Sequence, residues 1–127
     1  SDVSAAYDPM FASAFEKRSS AFFGKGLVFN KFTGSRGKNG SNDANAEYLA
    51  QIRKVMDEAE VGYQYAELGK VDVGGGGTIA YIMAQYGMEV IDSGVAVLCM
   101  HALYEISSKA DVYEAVKGYK AFIEKIG

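Results

Sequence analysis

Short apolar runs alternate with segments of helical periodicity along this chain, and that alternation narrows the possible folds more than any other feature. Residues 26–32 (GLVFNKF) are rich in the β-branched and aromatic side chains that strands prefer. Residues 62–68 (GYQYAEL) alternate aromatic and polar positions, and 88–92 (MEVID) and 95–100 (VAVLCM) are short apolar runs of the kind buried on both faces of a sheet. Between them, 42–60 carry Tyr48, Leu49, Ile52, Val55, Met56 and Ala59 on one helical face. A second helical segment, 78–87, aligns Ile79, Ile82, Met83 and Tyr86, and a third, 108–127, aligns Val112, Ala115, Val116, Tyr119 and Ile123. All three stripes read as core packing. The order strand, helix, strand, helix, strand, strand, helix predicts an α/β fold, a layered sheet flanked by helices on both faces.

Local signals place the ends of these elements. Ser41, Asn42 and Asp43 are candidate N-caps for the first helix. Gly87 is a left-handed stop for the second. Ser108 and Asp111 have capping-box spacing, with Asp where Glu or Gln is usual. Asp8 and Pro9 open one further helical turn near the start.

At 127 residues the chain has the length of one common domain. Its net charge of −3 and the lack of a basic stripe argue against nucleic acid as the main partner, although Arg36 and Lys38 sit in a glycine-rich loop near Phe32. No apolar run reaches the roughly 18 residues that span a bilayer, so no membrane role is expected. A single cysteine, Cys99, allows no internal disulfide and fits a reducing, cytoplasmic compartment. Inside the apolar run 95–100 it reads as an inert small hydrophobe.

Fifteen glycines against one proline gather at 24–26, 33–41 and 74–77. The last run, with Gly75, Gly77 and Ala80 at G-x-G-x-x-A spacing and Asp92 after the next strand, outlines a dinucleotide fingerprint. A small α/β nucleotide-binding domain using the loop 74–77 is therefore one reading. Against it, four consecutive glycines satisfy many spacings, and the preceding ELGKVDV is charged where a first Rossmann strand is apolar. A close approach of backbones is the plainer reading. The stretch TGSRGKNGSND lacks both the Ser or Thr after Gly37-Lys38 and the earlier glycine of a phosphate loop. The lone histidine, His101, reads on residues alone as a hydrogen-bonded structural side chain.

Taken together and in order, SDVSAAYDP, GKGLVFNKFTGSRGKNGSNDANAEY and ELGKVDVGGGGTIAYIMAQYGMEVIDSGVAVLCMHALYEISSKADVYEA resemble the C-terminal part of the aminopeptidase I branch of the aspartyl aminopeptidase family. These are co-catalytic zinc metallopeptidases. The resemblance implies that residues 1–127 are the C-terminal portion of a zinc-exopeptidase catalytic domain of phosphorylase/hydrolase-like architecture. It implies hydrolysis of the N-terminal residue of peptide substrates by a metal-activated water, with a glutamate as general base. Two zinc ions, or other divalent metals, about 3.5–4 Å apart would polarise the carbonyl and hold the free amino group. Asp2 in SDVSAA matches the aspartate ligand of one metal, and His101 in CMHALYE matches the last histidine ligand of the other. Gly76, Gly77 and Thr78 match the loop beside the active site, and Lys31 stands where a lysine could meet substrate.

The chain departs from the family pattern at Leu103, where proline is common after MHA, and at Val73, where glutamine is common. The family's first histidine ligand, bridging aspartate and paired glutamates precede this region, as does an inserted dimerisation domain. The expectation is a fragment that is inactive alone, tends to self-associate, and belongs to a homo-oligomeric parent. An assembly role without catalysis is a further alternative.

Overall fold

The computed structural model describes residues 1–35, 39–70, 72–74 and 79–126. The strands are β1 (Ser4–Ala5), β2 (Leu27–Asn30), β3 (Phe32–Ser35), β4 (Asn39–Asp43), β5 (Tyr63–Tyr65), β6 (Asp92–Gly94), β7 (Ala96–Leu98) and β8 (Ile106–Ser107). The helices are α1 (Ala46–Glu58), α2 (Ala80–Ala84) and α3 (Lys109–Lys125). Asp8 caps a 3₁₀ turn over Pro9–Ala14, with proline in its first turn as expected.

One run of chain, 92–98, serves two three-stranded sheets, ordered β5-β2-β6 and β1-β7-β8, beside a β3-β4 pair. Its first part, β6, lies antiparallel to β2 through Val28↔Gly94, Phe29↔Ser93 and Asn30↔Asp92. Its second part, β7, lies parallel to β1 through Ser4↔Ala96 and Ala5↔Val97 and antiparallel to β8. Bonds from Asp2 N–H to the Ser93 carbonyl (2.9 Å) and from Ala6 N–H to the Val97 carbonyl (2.9 Å) extend the β1 pairing at both ends. On the far side β5 runs parallel to β2. The predicted strand over 88–92 therefore starts only at Asp92, and the run 95–100 leaves the sheet after Leu98.

Alternation along β2 divides the core in two. Leu27 and Phe29 pack with Ile52, Val55 and Met56 of α1 and with Ala115 and Ala121 of α3. Val28 points the other way, into a cluster of Ala6, Ala21, Ala66 and Ala96 with Phe23 and Leu98. That second cluster contains no residue of α1, α2 or α3. Small side chains dominate this second cluster, and the segment around Ala21 runs beside β1, bridging in parallel to Ala6.

The first helix buries the face its periodicity predicts, but its cap is Asn45, whose side chain accepts from the Tyr48 N–H at 2.7 Å. Asn42 and Asp43 belong to β4, and the Asn42 amide donates to the Val90 carbonyl instead. In α3 the cap is Ser108, as the spacing predicts. Its buried side, however, is Asp111, Ala115, Gly118 and Ala121, while Val112, Val116 and Ile123 are exposed. Small residues win that face because the helix sits close to the sheet. A Cβ at Gly118 would lie 2.8 Å from Leu27 Cδ2 and 3.3 Å from Met56 Sδ.

The α2 stripe is also corrected. Ile79, Ile82, Met83 and Tyr86 are exposed, and Ala80 is the buried residue of a helix of five. Gly87 does take a positive φ of 74° after it.

Beyond the core, α3 ties itself to the entry of β5, where the Gly62 N–H donates to the Glu114 carboxylate at 2.7 Å. That bond, and then Lys117, hold the Glu114 pKa below its usual 4.5 despite a smaller opposing effect of burial. A carboxylate with a depressed folded pKa contributes stability above its unfolded pKa and loses it as pH falls through the lower folded value. The expected result is a modest fall in melting temperature as the pH drops below about 4.5, flattened in Glu114→Gln; equal slopes in both proteins would contradict it.

Candidate metal centre

Asp2 sits at the mouth of the β1–β7 pair, half-buried, with its Oδ1 accepting the Val3 N–H at 2.9 Å. Its position is fixed from both sides. The Tyr119 hydroxyl donates to the Ser93 carbonyl at 3.1 Å and bonds the Ser1 hydroxyl at 2.8 Å, so α3 pins the chain just before Asp2. On the sheet side, Asp2 lies against Gly94, where a Cβ would fall 1.8 Å from the Asp2 carbonyl oxygen. A groove of about 420 Å³, lined by Asp2, Val95, Val112, Val116 and Tyr119, runs between this segment and α3.

His101 stands in the turn between β7 and β8, not in a strand. Cys99 and His101 both have positive φ, 57° and 69°. Left-handed backbone costs a non-glycine residue roughly 1–2 kcal/mol, so the turn needs fixed bonds to persist. The Ala102 N–H donates to the Cys99 carbonyl at 3.0 Å, and the His101 N–H donates to Glu105 Oε1 at 2.6 Å. The imidazole is exposed and has no hydrogen-bond partner among the described residues. The reading of this histidine on residues alone, as a hydrogen-bonded structural side chain, is thereby corrected: among the described residues its backbone N–H is bonded and its ring is not. Cys99 is corrected too, since it is an exposed free thiol at the start of the turn rather than a strand residue.

The two candidate ligands share the β1–β7 pair but sit at different levels of it. Asp2 is level with Gly94, and Leu98 lies four residues, roughly 13 Å, farther along at strand rise. His101 follows beyond that end. Among the described residues, no group of three or more His, Cys, Asp or Glu side chains converges to hold a metal. A structural zinc takes four ligands and a catalytic one three protein ligands. Carboxylate and imidazole are the right donors for zinc, so Asp2 and His101 fit as parts of a larger donor set.

Lys31, between β2 and β3, forms an ion pair with Asp43 of β4. Gly76, Gly77 and Thr78 lie outside the described residues. Sequence reasoning missed Glu105 and Tyr119 as supports. Glu105 carried a faint signal, an acceptor four residues after the only histidine; Tyr119 carried none beyond its place on a helix face.

With this geometry established, comparison with known proteins decides between the readings. Residues 1–123 match the aminopeptidase I zinc metalloprotease (M18) family. The chain belongs to this M18 family.

A probable M18 family aminopeptidase 1 of Clostridium acetobutylicum is 65% identical over 123 residues, which are 97% of this chain and 26% of the relative. The crystal structure of aminopeptidase I from C. acetobutylicum superposes with a TM-score of 0.90 over 95% of this chain and 26% of that one. The M18 aminopeptidase structure from Thermotoga maritima, 48% identical, gives 0.92 over 98% of this chain and 28% of that one. A more distant neighbour, the Saccharomyces cerevisiae mApe1 dodecamer, is 22% identical with a TM-score of 0.74 over 98% of this chain and 26% of that one, and shares the fold.

The chain thus spans about a quarter of the length of the M18 relatives it matches. The nucleotide-binding reading falls with this match, because the glycine run lies within residues 1–123 that match the M18 family. Among the described residues, no helix is long and apolar enough to cross a membrane.

Proposed function

We propose that this chain is the C-terminal part of the catalytic domain of a two-zinc aminopeptidase, and that it contributes Asp2 to one metal and His101 to the other. The observation that carries the reading is the family match over residues 1–123. Asp2 holds its backbone between α3 and Gly94, so its carboxylate is presented from a fixed point while Oδ1 keeps the Val3 N–H. His101 presents an exposed imidazole with no hydrogen bond to the described residues, so a ring nitrogen is open to a metal. Bound zinc would supply Lewis acidity toward the scissile carbonyl and lower the pKa of water. Lys31 and the loop residues Gly76, Gly77 and Thr78 would line the substrate side, with Lys31 exchanging Asp43 for a substrate oxygen.

The substrates are peptides with a free amino terminus, rather than nucleic acid or membrane. The net charge of −3 supports this, and an exposed thiol at Cys99 supports a reducing, cytoplasmic setting. The rest of the catalytic domain would cover the faces left open here. Leu103 and Tyr104, 96% and 85% exposed in the turn beside His101, are apolar surface of the kind a larger domain buries. The parent is a homo-oligomer on this reading, in keeping with a fold shared with a dodecamer.

The test is an assay of the longer protein that carries this chain, beside the 127 residues alone. The expected result is release of the first residue from free peptides by the longer protein, none from N-acetylated peptides, and none by the 127-residue chain. Equal cleavage of acetylated peptides, or full activity in the short chain, would sink the proposal.

A further inference from the structure

The turn that carries His101 depends on one side chain. Two of its residues, Cys99 and His101, occupy the left-handed region at φ 57° and 69°, which L residues avoid because Cβ crowds the following carbonyl. Histidine tolerates it better than most, but tolerance does not fix a direction. Two bonds do. The Ala102 N–H to the Cys99 carbonyl is backbone to backbone and survives any side-chain exchange. The His101 N–H to Glu105 Oε1, at 2.6 Å, is short and charge-assisted, and it exists only because residue 105 is an acceptor.

Glu105 is well placed to act as a prop. It directly precedes β8, whose register with β7 is set by Leu98↔Ile106 and Val97↔Ser107. Its carboxylate therefore reaches from an anchored strand to the apex of the turn. The imidazole of His101 has no bond of its own to described residues, so its aim is inherited from the backbone beneath it.

We propose that Glu105 is the positioning residue of His101: by accepting the His101 N–H it holds the left-handed turn and so directs the imidazole toward a zinc ion. This rests on His101 being a metal ligand. Partners that orient zinc-binding histidines through the ring typically alter metal affinity 10–100-fold when lost; here the same service is given through the main chain.

The experiment uses the longer protein, stripped of metal, with zinc titrated against a chromophoric chelator and cobalt(II) absorption as a second readout. Glu105→Ala should weaken one zinc-binding step about 10–100-fold, shift the cobalt bands, and lower kcat with little change in KM. Glu105→Met, which keeps the stem without the acceptor, should do the same. Glu105→Gln retains a carbonyl acceptor and should stay within about threefold of the parent.

Unaltered zinc affinity in both Glu105→Ala and Glu105→Met would overturn the proposal. A Glu105→Gln protein as impaired as Glu105→Ala would also overturn it, since a lost charge or direct ligand would then be at work. His101→Ala marks the underlying assignment: if it keeps both metals, the reading of His101 itself has failed, whereas loss of a metal there with no effect at Glu105 rejects only the positioning role.

Discussion

Gly94→Ala is expected to destabilise the protein by about 3 kcal/mol or more. A Cβ there would lie 1.8 Å from the Asp2 carbonyl oxygen, 2.6 Å from its carbon and 3.1 Å from Val3 Cα. All three are backbone atoms, so no side chain can rotate away. Gly94 is held by Val28 on one side and faces Asp2 on the other, so relief requires displacing the start of β1 as a unit. Thermal unfolding should fall by roughly 10 °C or more for a chain of this size.

The same displacement moves a candidate metal ligand, so in the longer protein Gly94→Ala should also lower zinc content. Gly87→Ala is the contrast. Gly87 has a positive φ of 74° but nothing within 4 Å of an added Cβ, so only the conformational cost of about 1–2 kcal/mol applies. A Gly94→Ala protein as stable as Gly87→Ala would show that the approach of Asp2 is not close in solution.

The second large effect is expected at Asp111, which is 1% exposed. Its Oδ2 accepts the Gly24 N–H at 2.9 Å and its Oδ1 the Gly26 N–H at 2.8 Å, fastening the turn before β2 to the first turn of α3. Hydrogen bonds to a charged group are worth about 1.5–3 kcal/mol each, and a buried donor left alone costs about 1–3. Asp111→Ala should therefore lose about 3–5 kcal/mol in denaturant unfolding. Asp111→Asn keeps one acceptor but turns an NH₂ toward an N–H, and should lose about half as much. Ser108→Ala, which removes only the helix cap, should cost about 1 kcal/mol. Equal losses at 108 and 111 would mean that Asp111 serves the helix alone.

These two residues also mark what the sequence could and could not disclose. Ser108 and Asp111 were visible as a cap because both partners lie within one helical turn. The use of the Asp111 carboxylate was not, since its donors are more than eighty residues away in the chain. Gly94 gave no signal for the same reason: its need for a bare Cα arises from the register with Asp2.

Periodicity found all three helices but misjudged two of the faces. Large apolar residues were taken as the buried side of α3, whereas Ala115, Gly118 and Ala121 permit the closer contact and win it. In α2 the apolar stripe faces outward, for cover that about three quarters of a typical relative could supply. Asp2 and His101 are candidate ligands because their motifs, SDVSAA and CMHALYE, match the family's, and such motifs are legible in the sequence alone. The turn that carries His101 was hidden, because nothing in the local pattern announces positive φ at a cysteine and a histidine.

The most direct test of the central claim is zinc content per subunit in the longer protein and in two variants of it. Two zinc ions are expected in the parent, with one lost in each of Asp2→Ala and His101→Ala and aminopeptidase activity lost alongside. Asp2→Ala and His101→Ala proteins that both retain the parent's zinc and activity would contradict it.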